Sequence, residues 1–342
     1  MCYKISMKNV LVSGYIGFDN FGDEAIFYAL STHLKKMGYF VSVLCNKKQN
    51  VSKKYGVVAY NYKEPFEIFK AITSCDILIS GGGSLLQNKT SNFSLFYYLL
   101  VLLFAKICFK KVIIFAQGIE PVIGKIPELF TRTILKLVDF ISVRDDKSKE
   151  LLESWKIKSN LVSDPAYSLV QDKEISKKEG LIVQLRSFKG MDDKLLSNLC
   201  DSIVKNYKDE VKVFSFQDEV DENICLKFVE MIKKKSANAK YISAKSIDET
   251  INIINGSKYM ISTRLHGLII SNALQTKTFA LCYDDKIKTI VEELNLENID
   301  ILNYSQDELN KKMDNFFGDT ISNVLPYRRF EWDEIDFELA KQ

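Results

Sequence analysis

The sequence predicts an α/β protein of two facing Rossmann-like domains, each a parallel sheet covered by helices. Three observations carry that reading. Apolar runs of strand length alternate with helix-period segments along most of the chain. Glycines and polar residues cluster where the strand-like runs end. The length of 342 residues exceeds what one ordinary core fills.

The elements follow in order. NVLVSG, at Asn9–Gly14, reads as a buried strand, and the helix pattern of Gly22–Gly38 leads into the strand FVSVLCN. EPFEIFKAITSC reads as a helix before the strand DILIS, which ends in three glycines. The apolar segment Ser94–Phe109 precedes KVIIFAQGI, and the helix Ile126–Val138 precedes FISVRD. Repeated strand–helix units of this kind imply parallel pairing and right-handed crossovers. The polar stretch from Asp164 to Gly180 reads as a boundary. GLIVQLRSF, VKVFSFQ, AKYIS, YMIST and TFALCY are the strands of a second series, with helical segments between them. The expected division is 1–172, 178–320 and a C-terminal tail of 321–342. Two doubly wound domains of this kind direct their strand-end loops to one cleft, because ligands bind beyond the carboxyl ends of such strands.

Composition excludes several classes. A net charge of +3 offers no bulk field for duplex nucleic acid. The seven cysteines are scattered and odd in number, with no C-x-x-C, as in a reduced cytoplasmic protein. Two histidines exclude a His-rich metal site. MCYKISMKNVLVSG has no signal-peptide pattern, and Met7 is an alternative start. The uninterrupted apolar run Leu95–Ala105 is shorter than the roughly 20 residues a spanning helix needs. It reads as a core helix in preference to an interfacial membrane helix.

The informative residues lie at the strand ends. The first loop carries Gly14, Gly17 and Gly22 with Asp19, Asn20, Asp23 and Glu24. It is neither a dinucleotide fingerprint nor a P-loop. A plain turn in which Asp23 helps cap the helix and a ligand loop both remain open. After DILIS come Gly81, Gly82, Gly83 and Ser84, where a backbone can approach a ligand closely. Gln117 follows the next strand, Arg144 the one after, and Asp164-Pro165-Ala166 closes the series. In the second half Thr263-Arg264-Leu265-His266-Gly267 and Tyr283-Asp284-Asp285-Lys286 occupy strand ends. Arg144, Arg264 and Lys286 are cations suited to a phosphate or carboxylate. Each could equally brace its own loop, Arg144 beside Asp145 above all. His266, at a helix start beside Arg264, is the candidate proton carrier. His33 falls inside a helix and receives no role.

These segments together resemble the polysaccharide pyruvyl transferase family, and most closely its CsaB-type members. The matches run in family order from Asn9 to Leu296. They are G-Y-x-G-x-x-N-x-G-D-E-A-I at Gly14–Ile26, S-G-G-G-S-L-L-Q at Ser80–Gln87, A-Q-G-I at Ala116–Ile119, V-R-D-x-x-S at Val143–Ser148, D-P-A at Asp164–Ala166, R-L-H at Arg264–His266 and Y-D-x-K at Tyr283–Lys286. Similar proteins commonly carry G-I-G-P where this chain has Gly118-Ile119-Glu120-Pro121. The resemblance implies a glycosyltransferase-B-like fold. It implies transfer of the pyruvyl group of phosphoenolpyruvate to two sugar hydroxyls as a cyclic ketal, with release of phosphate and no cofactor or metal. For CsaB-type members it implies an N-acetylmannosamine acceptor in a lipid-linked wall polysaccharide precursor used to anchor S-layer proteins, and the expected enzyme is cytoplasmic and meets that acceptor at the inner membrane face. With that chemistry, His266 and Arg144 are the expected catalytic residues. Arg264, Lys286, Gly82, Gly83 and Ser84 are expected on the donor, and Asp19, Asn20, Asp23, Glu24 and Gln117 on the acceptor. A nucleotide-sugar glycosyltransferase, or a carbohydrate- or phosphate-binding protein without turnover, would share the scaffold.

Overall fold

A computed structural model describes residues 8–89, 91–188, 190–244, 246–318 and 329–341. The chain forms two compact units, one of Met1–Ser168 with Arg329–Gln342 and one of Leu169–Arg328. The first contains β1 (Asn9–Ser13), α1 (Phe21–Lys36), β2 (Phe40–Cys45), α2 (Lys48–Tyr55), β3 (Val58–Asn61), α3 (Pro65–Ser74), β4 (Ile77–Gly81), α4 (Asn92–Ile107), β5 (Lys111–Gln117), α5 (Lys125–Leu135), β6 (Phe140–Val143), α6 (Asp146–Ser154) and β7 (Asn160–Leu161). The second contains β8 (Leu181–Gln184), α7 (Asp193–Asn206), β9 (Val211–Phe214), α8 (Asp218–Lys234), β10 (Ala239–Tyr241), α9 (Ile247–Asn255), β11 (Tyr259–Ser262), α10 (Leu265–Ala273), β12 (Lys277–Cys282), α11 (Asp285–Leu294), β13 (Glu297–Asp300) and α12 (Gln306–Phe317). A last helix, α13 (Asp333–Ala340), belongs to the first unit.

The strand orders are β3-β2-β1-β4-β5-β6-β7 and β10-β9-β8-β11-β12-β13. Every ladder among the described residues is parallel. Each unit is therefore doubly wound. In both, the chain leaves the central strand in one direction and later returns to build in the other. That reversal lies between β1 and β4 in the first sheet and between β8 and β11 in the second. At such a point the carboxyl ends of neighbouring strands splay their loops apart and leave a crevice.

The strands are apolar on both sides because both faces are covered. In the first unit Val112 and Ile114 of β5 join a core with Ile72 of α3, Leu99 of α4, Ile134 of α5 and Leu152 of α6. Phe115, one residue on, points the other way and meets Phe330 and Trp332. The second core gathers Val183, Val213, Ile261 and Phe279 from its strands with Leu199, Phe228 and Phe316 from its helices. Helix starts are chemically marked: Ser91, Asp145, Asp192, Ser246, Asp284 and Ser305 each accept a backbone N–H from the first turn. Such caps contribute about 1 kcal/mol apiece.

Of the segment expected as a tail, 321–328 and Gln342 lie outside the described residues, and 329–341 packs on the first unit. Lys111 donates to the Glu338 carbonyl, and Asn160 Nδ2 donates to Glu334 at 2.9 Å. His33 stacks on Trp332 at 3.9 Å, and its Nε2 lies 2.7 Å from Asp336 Oδ1. The histidine with no role in the sequence thus joins α1 to α13. No helix among the described residues is long and apolar enough to cross a membrane.

Candidate active site

In the first unit the glycine-rich loop after β1 and the triple-glycine loop after β4 meet at the switch point. A small recess there is lined by Gly14, Tyr15, Asp23, Ile26, Gly81 and Gly82. Gly83 has φ +77°, and a Cβ on it would collide with the Asp23 carboxylate. The triple-glycine loop therefore lies directly on the acidic loop, an approach that glycine alone permits. Asn20 stands at the N-cap position of α1 without a side-chain cap bond, and donates from Nδ2 to Asp23 Oδ2. Asp19 is exposed, takes a left-handed φ of +55° and pairs with Lys47 at 2.8 Å. Tyr15 and Phe18, from the same loop, stack with ring centroids 4.0 Å apart.

Glu24 requires a correction. It was expected on the acceptor, but its side chain is buried. Its Oε1 accepts the Gly17 N–H at 2.7 Å, and its Oε2 accepts the Tyr55 hydroxyl and lies 3.3 Å from Lys54. A carboxylate engaged in this way holds the loop from beneath. Burial, reinforced by the nearby Glu24 charge, pushes the Tyr55 hydroxyl's pKa up, so Tyr55 remains a donor.

Gln117 is likewise fully buried at the end of β5. Its Nε2 donates to Ser80 Oγ at 2.7 Å and links two strand ends. The residue before it, Ala116, is held at φ +46° where the β5–β6 register shifts. Strain of this kind persists only where neighbours fix it, and the Ala116 N–H is held by Ser142 Oγ at 2.9 Å. Arg144 follows β6. Its Nη1 donates to Asp164 at 2.7 Å and its Nη2 to Ser84 Oγ at 3.4 Å. Arg144 thus ties the loops after β4, β6 and β7 together. The bracing possibility left open for Asp145 is met by Asp164 instead. Asp145 caps α6 through the Ser148 N–H. Glu120, which replaces the glycine common in similar proteins, pairs with Lys89 at 2.6 Å.

In the second unit the motif after β11 is organised by Gln184 at the end of β8. Gln184 is fully buried and accepts from Ser262 Oγ at 2.9 Å and from the Thr263 N–H at 3.3 Å. Helix α10 begins directly against this strand end. A Cβ on Gly267 would collide with Ser262 Oγ, so glycine here lets the helix carrying His266 approach the sheet. Arg264 was expected on the donor. Its Nη2 pairs with Asp221 of α8, a residue with 0% exposure, and also donates to Gln217 at 3.3 Å. Asp221 accepts the Ser187 N–H at 2.9 Å with its other oxygen. One buried carboxylate therefore clamps the loops after β8 and β11, and the charge of Arg264 is largely compensated.

His266 and Lys286 are both half-buried, and each is the second residue of its helix. Those helices, α10 and α11, follow adjacent strands and pack through Leu268, Ile287 and Val291. Two helix N-termini, each with a partial positive charge, therefore lie side by side, that of α10 without a side-chain cap and that of α11 capped by Asp284. Arg186, just beyond β8, adds a cation on the neighbouring strand. Its Nη1 donates to the Tyr283 hydroxyl at 2.5 Å, and Tyr283 stacks on Phe188 at 4.4 Å. Burial pushes the Tyr283 pKa up, against the opposing pull of Arg186.

A family model for polysaccharide pyruvyl transferases matches residues 20–285. The chain belongs to that family. No curated protein matches the sequence. Solved structures share its fold at low identity. A UDP-GlcNAc 2-epimerase from Methanocaldococcus jannaschii is 12% identical over 97% of this chain and 99% of its own, with a TM-score of 0.66. A glycosyltransferase from Rickettsia africae is 16% identical over 91% and 88%, with a TM-score of 0.57. MurG of Acinetobacter baumannii is 13% identical over 91% of each chain, with a TM-score of 0.51. The fold is thus glycosyltransferase-B-like, and the protein is a transferase by family.

Three features of this pyruvyl transferase family member escape a reading of its motifs. Arg186 is the one charged residue of GLIVQLRSF and reads as part of a strand. Its signal is a lone arginine at a predicted carboxyl end. Asp221 falls on the apolar stripe of α8 with Cys225, Phe228 and Ile232. A carboxylate in that register announces a buried partner. The Tyr15–Phe18 stack has no spacing signature at all.

Proposed function

We propose that the protein transfers the pyruvyl group of phosphoenolpyruvate to a sugar diol as a cyclic ketal. The observation that carries this reading is the pair His266 and Lys286 at adjacent helix N-termini, with Arg186 beside them. A ligand with one phosphate and one carboxylate needs donors and cations from more than one direction. The first proton goes to the methylene carbon of the donor, which becomes the methyl group, and a sugar hydroxyl adds at the adjacent carbon. That carbon then loses phosphate, and the second hydroxyl closes the ketal. Of the two hydroxyl protons, one balances the methyl group and the other leaves with phosphate. His266 is the group we assign to this proton traffic. Arg144 and Arg264 position loops, and Ser84 is presented by Arg144. The acceptor is assigned to the loop of Asp19, Asn20 and Asp23, where carboxylate and amide oxygens suit hydroxyls and the Tyr15–Phe18 pair adds an apolar face. N-acetylmannosamine in a lipid-linked wall polysaccharide precursor, used in S-layer anchoring, is the acceptor we propose from the CsaB-type resemblance. No metal or cofactor enters the scheme.

Incubation with phosphoenolpyruvate and nitrophenyl or lipid-linked sugars should release phosphate only when both substrates are present, and chelator should leave the rate unchanged. In the same assay Lys286→Ala should raise the KM for phosphoenolpyruvate by about one to two decades, the effect of one charge-assisted contact. Turnover of UDP-sugars without phosphoenolpyruvate would establish a glycosyltransferase instead.

A further inference from the structure

Helix α4, NFSLFYYLLVLLFAKI, is apolar around its whole circumference. One side enters the core through Leu95, Leu99, Leu102 and Ala105. The other side is bare: Phe93 is 81% exposed and Leu100 53%. The bare surface continues onto both neighbouring helices. Phe69 of α3 stacks with Phe104 of α4 at 5.9 Å, and Phe96 of α4 meets Phe130 of α5 at 5.6 Å. Beyond these bridges, Phe66 on α3 is 89% exposed and Ile126 on α5 79%. Among the described residues nineteen large apolar side chains are exposed, and ten of them fall between positions 66 and 137. That concentration makes one patch, not the scatter normal for a soluble surface.

The charge around the patch decides its occupant. Lys63, Lys70, Lys125 and Lys136 are exposed on the same three helices and their flanks. Of the carboxylates there, Glu67 is paired with Lys48, Glu128 with Arg132 and Asp139 with Lys106, and Asp76 accepts the Asn9 N–H. Glu64, exposed beside Lys63, offsets one of the four lysines and leaves the rim cationic. A second copy of the chain would bring two such cationic rims together, which like charges oppose. An anionic bilayer complements both parts of the surface. Phenylalanine and aliphatic side chains enter the acyl boundary, and lysines reach the lipid phosphates. We propose that the outer face of α3, α4 and α5 docks the protein on an anionic phospholipid bilayer. A lipid-linked acceptor would be reached there. That purpose rests on the proposed function, whereas the surface itself does not.

Flotation with vesicles, without either substrate, tests the docking alone. Vesicles of phosphatidylcholine with phosphatidylglycerol should carry the wild-type protein, and added salt should release it. Leu100→Ser with Ile126→Ser should lower that partition by about tenfold or more, through lost apolar burial. Lys125→Glu with Lys136→Glu should lower it at least as far and remove most of the salt sensitivity. Both pairs should keep the wild-type rate on a water-soluble acceptor. Wild-type protein that ignores anionic vesicles overturns the proposal. So does a concentration-dependent dimer, seen by sedimentation, that Leu100→Ser abolishes while vesicle binding is absent. Loss of turnover on phosphoenolpyruvate with vesicle binding intact would instead count against the pyruvyl-transfer reading alone.

Discussion

His266→Ala should lower turnover by about 10²–10⁴-fold, the usual worth of a positioned proton donor or acceptor. The side chain is half-buried at a helix start beyond the sheet, so its removal takes little from the core. Circular dichroism and thermal unfolding of the variant should therefore match the wild type. His266→Gln is the discriminating partner. Glutamine retains a hydrogen-bonding shape but cannot carry a proton through a catalytic cycle. If the Gln variant keeps most of the wild-type rate, His266 only positions a ligand. Glu24 is then a poor substitute as the acid, because its oxygens hold Gly17 and Tyr55. Asp23, which remains partly exposed, becomes the carboxyl to examine.

Arg264→Ala should destabilise the protein by about 3–5 kcal/mol, because it strands a fully buried Asp221 carboxylate without its counter-ion. For a unit of this size that corresponds to a fall of about 6–20 °C in Tm. The expectation separates two roles for the arginine. A residue that mainly binds donor would lose substrate affinity and leave Tm unchanged. A residue that braces its loop shows the reverse order of effects. The double variant Arg264→Met with Asp221→Leu removes both charges together and should recover much of the lost stability, since a buried pair can be exchanged for apolar groups at little cost. It should not recover activity, because the loops after β8 and β11 would lose the hydrogen bonds that Asp221 accepts from the Ser187 N–H and Arg264 Nη2. An Arg264→Ala protein with wild-type Tm would show that Asp221 finds another partner.

The alternation of apolar runs located both series of strands, because strands covered on two faces must be apolar throughout and leave an unbroken signal. The edge strands were harder. β3, VAYN, is half-exposed along its length, and β13, ENID, buries little beyond Ile299. An edge strand covers less core and tolerates polar residues, so its pattern fades into the surrounding loops. Helix α2, with only Val51 and Tyr55 buried, was invisible for the same reason. The loops that carry chemistry were legible, because glycine clusters, R-L-H and Y-D-x-K stand directly after strong strand signals.

What the sequence determined by itself was the two parallel sheets, the positions of the loops at their carboxyl ends and the family to which those loops belong. These are one-dimensional properties: periodicity along the chain, and residue types at fixed distances from a strand. Only the tertiary structure decided which polar side chains are already spent. In sequence Glu24, Arg144 and Arg264 are simply polar groups near a strand end. Glu24 closes on Gly17, Arg144 on Asp164 and Arg264 on Asp221, residues that the chain brings together only after folding. A charge buried away from water must find such a partner. The partner's place depends on strand order and helix packing, which no local pattern records. The same holds for α4: its composition announced burial, and only the packing of α3 and α5 beside it showed that one of its apolar sides remains uncovered.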